Sequence, residues 1–201
     1  MKFLIIASYP ASILKFRGAL IKALQDKGFE IHIAAPEFEI FPEEYESLTA
    51  LGYVVHPIHM QRTGTNPLND AKTLSALYLL MKKIKPSHFM GYTIKPVIYG
   101  SLAAKLARVP HRFALITGLG YAFQGADEQD YKKSTLQKIM HKLYSVALAT
   151  THKVFFQNPD DEALFKSMGI LTPNASTTVV NGSGVDISEY SVQPFATIDD
   201  I

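Results

Sequence analysis

The 201-residue chain contains no cysteine. That excludes a disulfide framework, a thiolate metal site and a cysteine nucleophile. No stretch approaches the roughly 18 apolar residues of a membrane-spanning helix. The apolar opening from Met1 to Ala7 is too short for a signal peptide and is followed closely by Pro10. A buried first strand explains it better, so the expected location is cytoplasmic or peripheral to a membrane at its inner face. The first loop has no glycine before Gly18, so the dinucleotide fingerprint is missing. A Walker loop and a Gly-x-Ser-x-Gly elbow are also missing, which leaves a P-loop enzyme or a hydrolase triad without an anchor. The histidines form no cluster with ligand-like spacing, and no metal is expected. Internal repeats and low-complexity tracts are absent as well.

What the chain does have is an uneven charge. Residues 1–70 hold 6 Lys/Arg against 8 Asp/Glu, residues 71–153 hold 13 against 3, and residues 154–201 hold 1 against 7. The segments therefore carry −2, +10 and −6, which gives the overall +2. A basic middle between acidic ends fits contact with an anionic ligand or lipid headgroup, or else a solvated lysine face.

Strand and helix signals alternate along the whole chain. Short apolar runs predict strands at Lys2–Ala7, Glu30–Ala34, Tyr53–His56, Ser87–Gly91, His111–Ile116, Lys153–Gln157 and Thr177–Val180. Helical spacing predicts Ala11–Lys27, with Ile13, Phe16, Leu20, Ala23 and Leu24 on one face and Gly28 as its stop. Further helices are predicted over Pro42–Leu51, Pro67 to about Lys85, Pro96–Arg108, Tyr131–Thr150 and Asp160–Met168. The Pro96–Arg108 helix is rich in small residues, which suits close approach to a sheet. This alternation implies an α/β, doubly wound, Rossmann-like parallel sheet of about seven strands with helices on both faces. Residues 1–185 make that domain, and 186–201 lose periodicity, as a tail or linker would.

In such sheets ligands bind beyond the carboxyl ends of the strands. That rule selects the loops Ser8–Arg17, Tyr92–Lys95 and Thr117–Gly125. Ser12 opens a helix, either as an N-cap or beside a docked anion. Arg17 either reaches a phosphate or is solvated. Lys95 is either an anion contact or a surface lysine. The glycines of Thr117-Gly118-Leu119-Gly120 permit either close approach to a ligand or a tight turn. On the helix from Tyr131, Leu136, Ile139, Met140, Leu143 and Ala147 form an apolar stripe. Lys138, His141 and Lys142 lie opposite, as a wet face or as a face for an anionic membrane.

Several stretches together resemble the N-terminal domain of family-4 retaining glycosyltransferases of GT-B architecture. They are Leu14-Lys15-Phe16-Arg17, Tyr92-Thr93-Ile94-Lys95-Pro96 through Ala104, Ile116-Thr117-Gly118-Leu119-Gly120-Tyr121, Val154-Phe155-Phe156-Gln157-Asn158 and Asn181-Gly182-Ser183-Gly184-Val185-Asp186. The likeness is to bacterial enzymes of capsule, O-antigen and lipid-linked glycan assembly, including the N-acetylgalactosaminyltransferases that extend undecaprenyl-diphosphate-linked sugars. The resemblance implies the acceptor-side half of an enzyme that moves a sugar from a nucleotide-sugar, a UDP-sugar, to a lipid-linked saccharide. It implies no bound metal or other cofactor; no nucleic-acid partner is expected, and the basic face of the helix from Tyr131 makes peripheral contact with an anionic membrane an expectation of its own. The donor-binding domain that such enzymes carry is expected beyond this chain or on a separate chain, and this half alone is expected to be inactive. A non-catalytic subunit that pairs with a donor-binding chain is the alternative. The implied acceptor contacts are Ser8, Pro10, Ser12, Phe16, Arg17, Thr93, Lys95, Thr117, Gly118 and Gly120. Many relatives have a Gly-Gly pair in the first loop and a His after the fifth strand. Here those positions read Pro10–Ser12 and Thr117–Gly118, so no catalytic residue is assigned.

Overall fold

The computed structural model describes residues 1–62, 64, 66–118 and 135–184. Gly120, the expected boundary at 185, the tail 186–201 and the first residues of the helix expected from Tyr131 lie outside them.

Seven strands are described: β1 (Lys2–Ile6), β2 (Glu30–Ala35), β3 (Val54–Pro57), β4 (His88–Tyr92), β5 (His111–Ile116), β6 (Lys153–Phe156) and β7 (Thr177–Val179). They form one sheet in the order β3-β2-β1-β4-β5-β6-β7, with every neighbouring pair parallel. The chain winds outward from β1 in one direction and from β4 in the other. The loops after these two strands therefore diverge at the carboxyl edge and leave a crevice between them.

Helices cover both faces. α1 (Ser12–Asp26) and α2 (Pro42–Ala50) place Ile13, Ile21 and Leu48 against Ile5, Ile33, Met90 and Tyr92. On the other face lie α3 (Pro67–Ile84), a π-helical turn (Pro96–Gly100), α4 (Ser101–Leu106), α5 (Thr135–Leu148) and α6 (Pro159–Ser167). These helices bury Leu77, Val97, Ala103, Tyr144 and Phe165 against Leu4, Ile6, Phe89 and Phe156. The sheet is thus apolar on both sides, as a central parallel sheet must be. Pro67 opens α3 as expected, with Asn66 accepting from the amides of Leu68 and Asn69. Gly28 ends the helix before it at φ +84°.

Local departures from the sequence reading share one cause. Apolar periodicity does not say which polar residue a fold will bury. On α1 the buried face is Ile13, Arg17 and Ile21, while Phe16, Leu20 and Ala23 are exposed. On α5 the stripe runs through Met140, Leu143, Tyr144 and Ala147, and Ile139 points outward. The helix expected over Pro96–Arg108 opens with the π-helical turn and ends earlier, at Leu106. The tightness expected from its small residues is present: a Cβ at Gly100 would lie 2.7 Å from the Phe89 ring, and one at Gly91 would lie 2.5 Å from the Pro96 carbonyl oxygen.

Candidate functional site

The loops at the carboxyl edge bring part of the expected set together. Ser8, directly after β1, is buried, and its hydroxyl accepts a 2.7 Å hydrogen bond from Thr93 Oγ1 in the loop after β4. Thr93 holds φ at +69°. For a β-branched residue this left-handed conformation costs about 1–2 kcal/mol, and such strain collects at functional loops. The Thr93 carbonyl then accepts from the Val97 amide at 3.0 Å, which ties the strained residue to the π-helical turn.

Ser12 is the first residue of α1, not its cap. Ala11 occupies the cap position, and the Ser12 hydroxyl donates to the Tyr9 carbonyl at 2.6 Å. The amides of Ser12 and Ile13 are already bonded to the carbonyls of Tyr9 and Pro10, so they are not free for an anion. The same hydroxyl shares a 3.0 Å hydrogen bond with the Tyr92 phenol. Burial pushes that phenol's pKa up to about 12, which keeps it neutral. Pro10, within this turn, is buried.

Arg17 is neither solvated nor ion-paired among the described residues. Only 6% of it is exposed. Its guanidinium carbon lies 5.1 Å from the centre of the Tyr92 ring, and Nη1 donates to the Phe16 carbonyl and to Ser183 Oγ, both at 2.7 Å. Its Nε is buried without a partner. Burial lowers the guanidinium's pKa, and Tyr92 pulls weakly the other way. Gln157 completes the set by donating to Ser183 Oγ at 3.0 Å. Beside Arg17 a groove of about 250 Å³ runs between α1 and the sheet, lined by Phe16, Leu20, Leu115, Phe155 and Val180. A buried, incompletely bonded cation at the end of an apolar groove is suited to an anion with an apolar body.

Lys95 is equally buried, but its ammonium is 2.7 Å from Asp70 on α3. Both earlier readings of it therefore change: it is not on the surface, and its charge is already matched. Thr117 is half-buried and Gly118 is exposed at the end of β5. Further off, Lys138, His141 and Lys142 line an open hollow of about 390 Å³ with Met168 and Gly169. Another hollow of about 610 Å³ lies beside the C-terminal end of α6, away from the carboxyl edge. No helix is long and apolar enough to cross a membrane, and no group of three or more His, Cys, Asp or Glu is placed to hold a metal, both among the described residues.

Sequence reasoning gave no role to Tyr92, Gln157, Ser183 or Asp70. The first three fall inside the quoted motifs, which was the available signal. Asp70 had none, because its partner is 25 positions away.

The chain matches known proteins across this same region. It is 27% identical over 181 residues to the N,N'-diacetylbacillosaminyl-diphospho-undecaprenol alpha-1,3-N-acetylgalactosaminyltransferase of Campylobacter jejuni, covering 90% of this chain and 46% of that protein. It is 31% identical over 126 residues to the UDP-Gal:alpha-D-GlcNAc-diphosphoundecaprenol alpha-1,3-galactosyltransferase of Escherichia coli, covering 62% and 30%. The chain thus spans less than half the length of either relative. Among solved structures it resembles the UDP-GlcNAc 2-epimerase of Neisseria meningitidis (TM-score 0.63, 14% identity, 91% of this chain and 47% of that one). It also resembles MurG of Acinetobacter baumannii (TM-score 0.57, 14% identity, 94% and 48%). At such identities the likeness concerns the fold. The profile of the glycosyl transferase 4-like family matches residues 9–158, from the first loop to the cap of α6, and the chain belongs to that family.

Proposed function

We propose that this chain is the acceptor-binding half of a retaining glycosyltransferase that moves a sugar from a nucleotide-sugar to a lipid-linked saccharide. The observation that carries the reading is Arg17, a buried cation without a carboxylate partner among the described residues, placed where the loops of β1, β4 and β7 meet. Keeping such a charge from water is costly unless something anionic compensates it. A diphosphate on the acceptor supplies that compensation, and the names of both relatives specify a diphospho-undecaprenol acceptor. Ser12 and Tyr92 lie beside the cation, and Ser8 and Thr93 across the loops after β1 and β4. All four now bond to one another or to backbone. In this reading the half-buried Ser12 and Thr93 turn their hydroxyls to saccharide oxygens. Thr117 and Gly118, just after β5, and Gly120 are further acceptor contacts in this reading. The relative that names UDP-Gal supports a UDP-sugar donor.

In the reaction an acceptor hydroxyl oxygen bonds to the anomeric carbon as the bond to the nucleoside diphosphate breaks, and the hydroxyl proton passes to the departing diphosphate. Described residues of this chain hold and orient the acceptor for that step. Donor contacts are assigned to the further half expected from the relatives' greater length.

The test is titration of the chain with a polyprenyl-diphosphate saccharide and, separately, with UDP-sugars. Saturable binding of the first and no binding of the second is the expected result. Micromolar or tighter binding of a UDP-sugar by this chain alone would reverse the division of labour.

A further inference from the structure

The Ser183 oxygen accepts two hydrogen bonds from two different parts of the fold. One comes from Arg17 Nη1 on α1 at 2.7 Å, the other from the side-chain amide of Gln157, just after β6, at 3.0 Å. Both lone pairs of the hydroxyl are thereby engaged. An anionic oxygen would accept from the same two donors, and charge-assisted bonds of that kind are roughly twice as strong. Ser183 thus stands where a ligand oxygen would.

An oxyanion engages a guanidinium best through two parallel N–H groups. On Arg17 the Nε is buried, and Nη1 gives its two N–H groups to the Phe16 carbonyl and to Ser183. A bidentate anion must therefore come in through Nη1 and Nη2 and displace one of these acceptors. The Phe16 carbonyl is backbone of α1 and cannot withdraw. Ser183 can. Residues 181–184 are exposed, and Gly182 and Gly184 flank the serine at φ +68° and +70°. A Cβ at either glycine would meet nothing within 4 Å, so the turn is not packed in place. Besides the Ser183 side chain, the Gly182 amide ties it to the Val180 carbonyl at 2.9 Å. A turn held by so few bonds opens at little cost. A serine kept only to satisfy Arg17 would gain from a stiffer setting, because glycines lose the most conformational freedom on ordering. Gly182 and Ser183 also line the groove beside Arg17.

We propose that Ser183 is a latch, displaced from Arg17 and Gln157 when a phosphate or diphosphate oxygen takes its place, and that its release frees the turn at 181–184 and opens that wall of the groove. The inference rests on reading Arg17 as an anion contact, and it adds Gln157 as the second donor to the anion. Occupancy of the site is then read out in the turn that follows β7. No bond is made or broken beyond the exchange of one hydrogen-bond acceptor for another.

The experiment is NMR relaxation on the 201-residue chain, isotope-labelled at its glycine nitrogens, with inorganic pyrophosphate as the probe. Without the anion, Gly182 and Gly184 should show the order of rigid backbone, S² of about 0.85, and saturation should take them below about 0.6. The packed Gly91 and Gly100 should stay rigid throughout. Ser183→Ala should be loose from the start and bind pyrophosphate severalfold more tightly, because nothing then competes for Arg17. Ser183→Thr, which keeps the hydroxyl, should behave as the parent. Arg17→Met should loosen both glycines and bind no pyrophosphate. Unchanged order in the saturated parent, or weaker binding by Ser183→Ala, would overturn the latch. Absence of binding by the parent and by Ser183→Ala alike would overturn the latch together with the anion reading of Arg17. Pyrophosphate that binds and frees the turn, with no binding of a polyprenyl-diphosphate saccharide, would uphold the latch and remove the acceptor reading.

Discussion

Arg17 and Lys95 lie near the same edge of the sheet and are equally buried, yet they are treated in opposite ways. Lys95 belongs to the basic side, where α3, α4 and α5 carry a single carboxylate, and that one carboxylate is placed on it. Arg17 belongs to the opposite side, where residues 12–50 hold 7 acidic groups against 4 basic ones, and none of the described carboxylates pairs with it. Local abundance of opposite charge therefore does not decide which buried cation is neutralised. A buried cation matched by a half-buried carboxylate fixes structure, joining α3 to the loop after β4. An unmatched buried cation is a standing cost, retained where a ligand relieves it.

The largest effect expected from this contrast is on the matched side. Asp70→Asn leaves Lys95 buried without a counter-charge and should destabilise the fold by about 3 kcal/mol, a fall in Tm of roughly 6–12 °C by thermal unfolding. The same anchor depends on Gly91. A methyl there would lie 2.5 Å from the Pro96 carbonyl oxygen, which is backbone and cannot swing away. Gly91→Ala should cost about 2 kcal/mol, read in the same unfolding experiment. If either variant unfolds like the parent, the matched pair and its π-helical turn are not the anchor described.

Acid should loosen this side by a smaller amount. His56 on β3 is pulled down to about 4, first by burial, then by His32 and by Lys83 of α3. His32, 2.9 Å away, shifts in the same direction, mainly by burial. A base with a lowered folded pKa takes its proton more readily when unfolded, so its contribution is complete above about 6.5 and is lost as pH falls toward 4. The expected loss is about 1–2 kcal/mol, after discounting for partial exposure. His56→Gln should flatten the dependence of Tm on pH across that window.

Much of this was legible beforehand. Parallel strands buried on both faces are continuous apolar runs, so Phe3–Ile6 announces itself, and Ile31–Ala35 does so but for the buried His32. Gly28 and Pro67 mark helix ends by their own backbone chemistry. Periodicity failed where the fold buried a charge or exposed an aliphatic. Periodicity leaves Arg17 open between a phosphate contact and solvent, puts Phe16 on the apolar face of α1 and puts Ile139 in the stripe of α5; the structure buries Arg17 and exposes the other two. The pairs that define the rim were out of reach for another reason. Arg17 meets Ser183 across 166 positions, and Lys95 meets Asp70 across 25. Such meetings follow from the strand order, not from any local signal.

The smallest expected change in stability carries the most weight. Arg17→Met keeps the bulk of the side chain and removes the unmatched charge. Thermal unfolding and titration with a polyprenyl-diphosphate saccharide, run on the same preparation, should show Tm unchanged or raised while affinity falls tenfold or more. A clear drop in Tm with affinity intact would show that Arg17 serves the fold, and the acceptor site would have to be sought elsewhere.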